Sequence, residues 1–259
     1  MAAARRIRRR GWIDAARKRS QPEVRPTIAK PVTPTRSSAP VPDARAYIFD
    51  VEGTLVDTVL PSLNCWCQTL AEFGFSFRTA DLHRYSGMDG REMLAQLLPQ
   101  NRELHDFILS KYNWRFRTEV LPTVRAVPGA RELLATLKRR GAKIALATNC
   151  HADELAHYRT RLGIDDSIDT TVSGDDVQRG KPHPDAIVAA LKRLGTEPSD
   201  AVFVGDTPYD AEAARQARVR SFGVLTGHFP RADLLGAGCS AIFLDPKSLS
   251  QALAEPEAA

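Results

Sequence analysis

Tyr47-Ile48-Phe49-Asp50-Val51-Glu52-Gly53-Thr54-Leu55-Val56-Asp57-Thr58 is the stretch on which the fold turns. Its front, residues 46–49, is a short apolar run of the kind that forms a buried parallel strand. It ends in two acids one residue apart, then a Gly-Thr turn. In an open α/β sheet the carboxyl ends of the strands form the ligand crevice, so Asp50 and Glu52 are expected at the mouth of a site. Taken alone, the string also fits a strand-to-turn junction with capping acids, and the rest of the chain has to decide.

From about 59 to 127 the sequence reads as helices at 62–72, 80–85, 91–98 and 102–119, with turns at Gly74, Gly87-Met88-Asp89-Gly90 and Pro99. Met93, Leu94, Leu97 and Leu98 make one apolar stripe. After Pro128-Gly129 the chain alternates. A helix opens at 130, with Ala130, Leu133, Leu134 and Leu137 on one face and Gly141 beyond its end; a strand at 143–147, a helix at 153–162 closed by Gly163, and a strand at 169–173 come next. A helix at 184–194, a strand at 201–204, a helix at 210–217 and strands at 221–224 and 241–243 follow. Strands alternating with helices of this length imply a parallel sheet with right-handed crossovers. The expected architecture is therefore α/β: a Rossmann-like parallel sheet core from 45–58 and 128–259, with a small helical cap domain, 59–127, inserted after the first strand. Hinges are expected near 58–61 and 122–128.

The net charge of +5 divides unevenly: residues 1–44 carry 11 Lys or Arg against three acids, a net +8, and the remainder carries 25 against 28, a net −3. Six of the 17 prolines also lie in 1–44, with little apolar periodicity, so this basic tail is expected to be disordered. Its arginines fit a solvated extension, an organelle-targeting segment or a polyanion contact. Beyond that tail nothing points to nucleic acid, and no apolar run approaches the roughly 18 residues that cross a bilayer. Cys65, Cys67, Cys150 and Cys239 have neither disulfide-scaffold density nor paired metal spacing, which suits a reducing cytoplasm.

Three more polar sites fall at strand ends or adjoining loops. Thr148 and Asn149 close the strand at 143–147, as turn or cap residues or as anion ligands. Arg179-Gly180-Lys181-Pro182-His183-Pro184 holds Lys181 between Gly and Pro, either as an ordinary loop lysine or as a positioned charge that screens two anions. Val202-Phe203-Val204-Gly205-Asp206-Thr207-Pro208-Tyr209-Asp210 ends an apolar strand in an acid. A second acid follows four residues on, as a helix cap or, with Asp206, a hard oxygen site for Mg²⁺.

These four motifs, in this order over residues 46 to about 245, resemble the haloacid dehalogenase-like hydrolase superfamily, and the insert resembles its phosphoglycolate phosphatase and phosphoglucomutase-like branch. The resemblance implies a phosphatase for a small phosphorylated metabolite, a phosphoglycolate- or sugar-phosphate-like monoester, acting through an aspartyl-phosphate. Asp50 would be the nucleophile and Glu52 the general acid/base, with Thr148, Asn149 and Lys181 on the phosphoryl group. Mg²⁺ would be held by Asp50, the carbonyl of Glu52, Asp206 and Asp210. The family's usual second acid is Asp, and Glu52 is one methylene longer; enolase-phosphatases of the superfamily also carry Asp-x-Glu-Gly-Thr. Arg91, in the insert's turn, is read either as a contact for a second anionic group or as a surface residue of a first helical turn. Dehalogenase or phosphonatase chemistry and a weakly active phosphometabolite-binding protein are the alternatives. The oligomeric state is not legible.

Overall fold

The run at 46–49 becomes the middle of a six-stranded parallel sheet. The structure, a computed structural model, describes residues 44–254. The basic segment 1–44, expected to be disordered, lies apart from Ala44 outside the described residues. Strand β1 (Ala46–Phe49) leads into a two-residue strand β2 (Val56–Asp57) and then the helical insert: α1 (Val59–Glu72), α2 (Thr79–Leu82), α3 (Gly90–Leu97) and α4 (His105–Arg115). A return strand β3 (Arg125–Ala126) precedes the alternating part. That part comprises α5 (Ala130–Arg139), β4 (Lys143–Ala147), α6 (Ala152–Leu162), β5 (Thr170–Val172), α7 (Asp185–Leu194) and β6 (Ala201–Gly205). It closes with α8 (Pro208–Gln216), β7 (Arg220–Val224), α9 (Arg231–Ala237), β8 (Ala241–Phe243) and α10 (Pro246–Ala254).

The sheet order is β5-β4-β1-β6-β7-β8. Ile48 pairs with Ala145 on one side and Phe203 on the other, so β1, β4 and β6 end side by side and deliver Asp50, Thr148 and Asp206 to one edge. Alternation along β1 sorts its side chains between two cores. Tyr47 and Phe49 pack with Leu133, Leu134 and Leu155 of α5 and α6, and Ala46 and Ile48 with Ile187 and Ala213 of α7 and α8. Burial on both faces is why these strands read as unbroken apolar runs. The insert has a cluster of its own, built on Leu63, Trp66, Leu70, Leu82, Leu94 and Ile108.

The structure differs from the sequence reading where the insert joins the sheet. Residues 59–61 already belong to α1, and 125–126 pair with 56–57 as an antiparallel ribbon, Val56 opposite Ala126 and Asp57 opposite Arg125. Two residues per strand are too few to show a period, so the ribbon leaves no sequence signal. The helix expected at 102–119 is one helical passage of three types: a 3₁₀ turn at Arg102–Leu104, α4, and a π-helical segment at Phe116–Val120. No helix among the described residues is long and apolar enough to cross a membrane.

Candidate active site

Asp50 continues the ladder beyond β1, its N–H donating to the Val204 carbonyl at 2.9 Å, and the residue is 3% exposed. Opposite it stands Lys181, 2% exposed, with Nζ 2.5 Å from Asp50 Oδ1 and 2.8 Å from Asp210 Oδ1. Burial pulls this ammonium down, and the carboxylates of Asp210 and Asp50 more than offset it, so its pKa stands above the ordinary lysine value. Asp50 is pushed up to about 6, by burial first, with Lys181 opposing. Asp206 is raised further, by burial and then by its neighbours Asp210 and Asp50.

Asp206 follows β6 and accepts from the Thr54 hydroxyl at 2.7 Å. Its surroundings are tight. Gly53 has a left-handed φ of +80°, and a Cβ there would sit 2.3 Å from Asp206 Oδ2, so the turn after Glu52 needs glycine. Asp210 closes a capping box with Thr207 at the start of α8: its Oδ2 accepts from the Thr207 hydroxyl at 2.8 Å and backbone N–H at 3.0 Å, while Oδ1 takes Lys181. Cap and ion-pair partner are therefore the same residue. Asp50, Asp206 and Asp210 each present an oxygen, all within 4.8 Å of one another.

Thr148 is buried beyond β4, and Asn149 joins three parts of the site. Its Oδ1 accepts from the Lys181 backbone N–H at 2.9 Å, and its Nδ2 donates to the Gly87 carbonyl of the insert at 3.2 Å. Glu52 accepts from the Tyr158 hydroxyl at 2.7 Å. Burial and the nearby Glu154 push the Glu52 carboxyl up to about 8, against the opposing Tyr158 hydrogen bond. Asp50, Glu52, Thr148, Asn149, Lys181 and Asp206 surround a recess of about 50 Å³, room for a few atoms' worth of ligand. Glu52 and Asn149 also line a larger cleft of about 720 Å³ between insert and sheet, within the usual size of a small-molecule site.

Arg91 lies on that cleft rather than in the recess. Its side chain is 72% exposed, and its guanidinium pairs with Asp106 at 2.7 Å. Seven of the eight residues singled out in the sequence thus gather at the recess and its wall, and Arg91 stands apart on the insert. Cys150 is a buried small residue. Thr54, Thr207 and Tyr158 carry no expectation from the sequence. The first two lie inside quoted motifs, but their hydroxyls are read only through contacts with Asp206 and Asp210, and Tyr158 is 106 positions from Glu52.

The insert is seated on the sheet through Gly87, Tyr209 (whose hydroxyl donates to the Arg84 carbonyl at 2.6 Å), and His83 Nε2 against the Gly227 carbonyl at 2.8 Å. Gly87 has φ +85°, and a Cβ there would stand 2.7 Å from Thr207 Cγ2. Gly87→Ala is expected to raise KM about tenfold and, because the seated arrangement is the folded one, to lower the melting temperature by a few degrees. The left-handed backbone alone costs about 1–2 kcal/mol in the seated state. Steady-state kinetics check it, and an unchanged KM would remove this contact from substrate capture.

The haloacid dehalogenase-like hydrolase family matches residues 47–224. The phosphorylated carbohydrates phosphatase of Thermotoga maritima is 32% identical over 216 residues, covering 81% of this chain and 98% of its own. A phosphoglycolate phosphatase of Yersinia pestis is 32% identical over 197 residues, covering 71% of this chain and 82% of its own. Among solved structures, a hydrolase from Pseudomonas syringae superposes with a TM-score of 0.75 at 31% identity, covering 80% of this chain and 97% of that one.

Proposed function

The chain belongs to the haloacid dehalogenase-like hydrolase family, and from that premise we propose that it is a Mg²⁺-dependent phosphatase of small phosphate monoesters acting through a phosphorylated Asp50. The observation that carries the reading is the buried Asp50–Lys181–Asp210 ion-pair chain at the carboxyl end of β1, opening on a small recess and a wider cleft.

Three buried carboxylates face one buried ammonium, and the burial and mutual repulsion that raise Asp50 and Asp206 are what a bound divalent cation would relieve. Oxygen-only donors suit Mg²⁺. Asp50, Asp206 and the Glu52 carbonyl would hold it, with Asp210 behind, since both of its oxygens already have partners. When bound, the cation supplies charge neutralisation for the phosphoryl oxygens.

The protein's own groups account for the bond changes. An Asp50 oxygen attacks phosphorus, the bond to the ester oxygen breaks, and Glu52, raised to about 8 and so able to carry a proton at neutral pH, protonates that oxygen as it leaves. Glu52 then takes a proton from water, whose oxygen attacks the phosphoryl group and releases the Asp50 carboxylate. Lys181 and Thr148 hold non-bridging oxygens, and Lys181 screens Asp50 from the incoming anion. Core and insert act as separate domains in this reading, and a cytoplasmic location, suggested by the four free cysteines, belongs to it too.

Phosphate release from a panel of monoesters, phosphoglycolate and sugar phosphates included, tests the reading. Release that needs Mg²⁺ and stops with a chelator is expected; release indifferent to metal would contradict it. An exposed ion pair like Arg91–Asp106 is worth at most about 1 kcal/mol, so Arg91 can turn from Asp106 to a substrate anion. Arg91→Ala is expected to raise KM about tenfold for a substrate with a second anionic group and to leave an aryl phosphate unchanged. Equal losses on both would end the specificity role.

A further inference from the structure

Among the described residues the Glu52 side chain has one hydrogen bond, from the Tyr158 hydroxyl to Oε1 at 2.7 Å. Tyr158 is fully buried in α6, inside the apolar cluster that holds Phe49, Cys150 and Leu155. A glutamate has one more side-chain torsion than an aspartate, and its carboxyl stays in one place only if something fixes its far end. We propose that Tyr158 is a positioning residue for Glu52, fixing which carboxyl oxygen exchanges the proton with the leaving group; the inference rests on the phosphatase reading above.

A carboxylic acid carries its proton on one oxygen. Donation from Tyr158 occupies Oε1 as an acceptor and leaves Oε2 to hold the proton, on a residue that lines the recess. The proton passes from Oε2 to the ester oxygen as its bond to phosphorus breaks, and Oε2 recovers a proton from the water that attacks the phosphoryl group. Tyr158 itself exchanges none. The rigid helix and apolar packing behind the phenol hold the donor still, which is what a positioned acid needs.

The test compares the full-length wild type with Tyr158→Phe, Glu52→Asp and the double variant. It uses the best alkyl phosphate of the panel and p-nitrophenyl phosphate, with Mg²⁺ present. Tyr158→Phe is expected to lower kcat on the alkyl phosphate about tenfold with KM held, because that leaving group needs a proton. p-Nitrophenolate leaves without one and should lose far less. Glu52→Asp withdraws the carboxyl by roughly 1.5 Å, out of the phenol's reach, so in that background Tyr158→Phe should change kcat less than about twofold. Equal losses in both backgrounds, equal losses on both esters with a lowered melting temperature, or a wild-type kcat in Tyr158→Phe would each overturn the role. A wild type silent on every ester would overturn the phosphatase reading and this role with it.

Discussion

Asp50→Asn is expected to lower phosphate release by about four orders of magnitude or more, the loss typical of removing a covalent nucleophile. The amide keeps the shape of the side chain but offers no oxygen able to form the acyl phosphate. The fold should not suffer. Asp50 stands near 6 in the folded protein against an ordinary 3.8, because burial disfavours its charge. A raised carboxyl binds its proton more readily folded than unfolded, so its contribution to stability falls as pH rises through that window. Asn has no charge to bury, and Lys181 keeps Asp210 at 2.8 Å. At pH 7 in metal-free buffer the variant should therefore melt no lower than the wild type, as thermal denaturation can check. A melting temperature well below wild type would mean that Asp50 is structural.

Lys181→Met is expected to damage both activity and stability. Lys181 is the one buried cation among the described residues, and its removal leaves Asp50 and Asp210 buried without a counter-charge. Breaking a buried pair in this way costs about 3–5 kcal/mol, a fall in melting temperature on the order of 10 °C for a domain of this size. Turnover should drop about a thousandfold as the nucleophile and the substrate phosphate lose their screen. The pH dependence separates this cause from lost packing. Without Lys181 the Asp50 carboxyl, already raised by burial, binds its proton more readily still, so lowering the pH toward 5 neutralises it and should restore part of the lost stability. A deficit equal at pH 5 and pH 7 would place the cost in packing instead.

What was legible in the sequence was what lies at strand ends. β1, β4 and β6 are apolar on both faces because both faces are covered, so each run stands out and the residue after it marks the sheet edge. That logic reached Asp50, Thr148 and Asp206 without side-chain geometry. Lys181 came from its loop context, but its burial between two acids could not be read from a Gly-Lys-Pro string. The ribbon of β2 and β3 is too short to have a period, and α9 is too short to present more than one buried leucine, Leu234. α10 does carry Leu249 and Leu253 one turn apart, a helical signal present in the sequence itself. Thr54, Thr207 and Tyr158 act through partners distant in sequence or through hydrogen bonds that no local pattern encodes.

The central claim is that the phosphoryl group passes through Asp50. The direct measurement is to mix the wild type with excess of its best ester and Mg²⁺, quench in acid within the first turnovers, and map the peptides by mass spectrometry. The account predicts one phosphoryl group on the peptide carrying Asp50, absent from Asp50→Asn and lost in hydroxylamine. Turnover with that peptide unmodified throughout, or with the phosphoryl group on another residue, would contradict it.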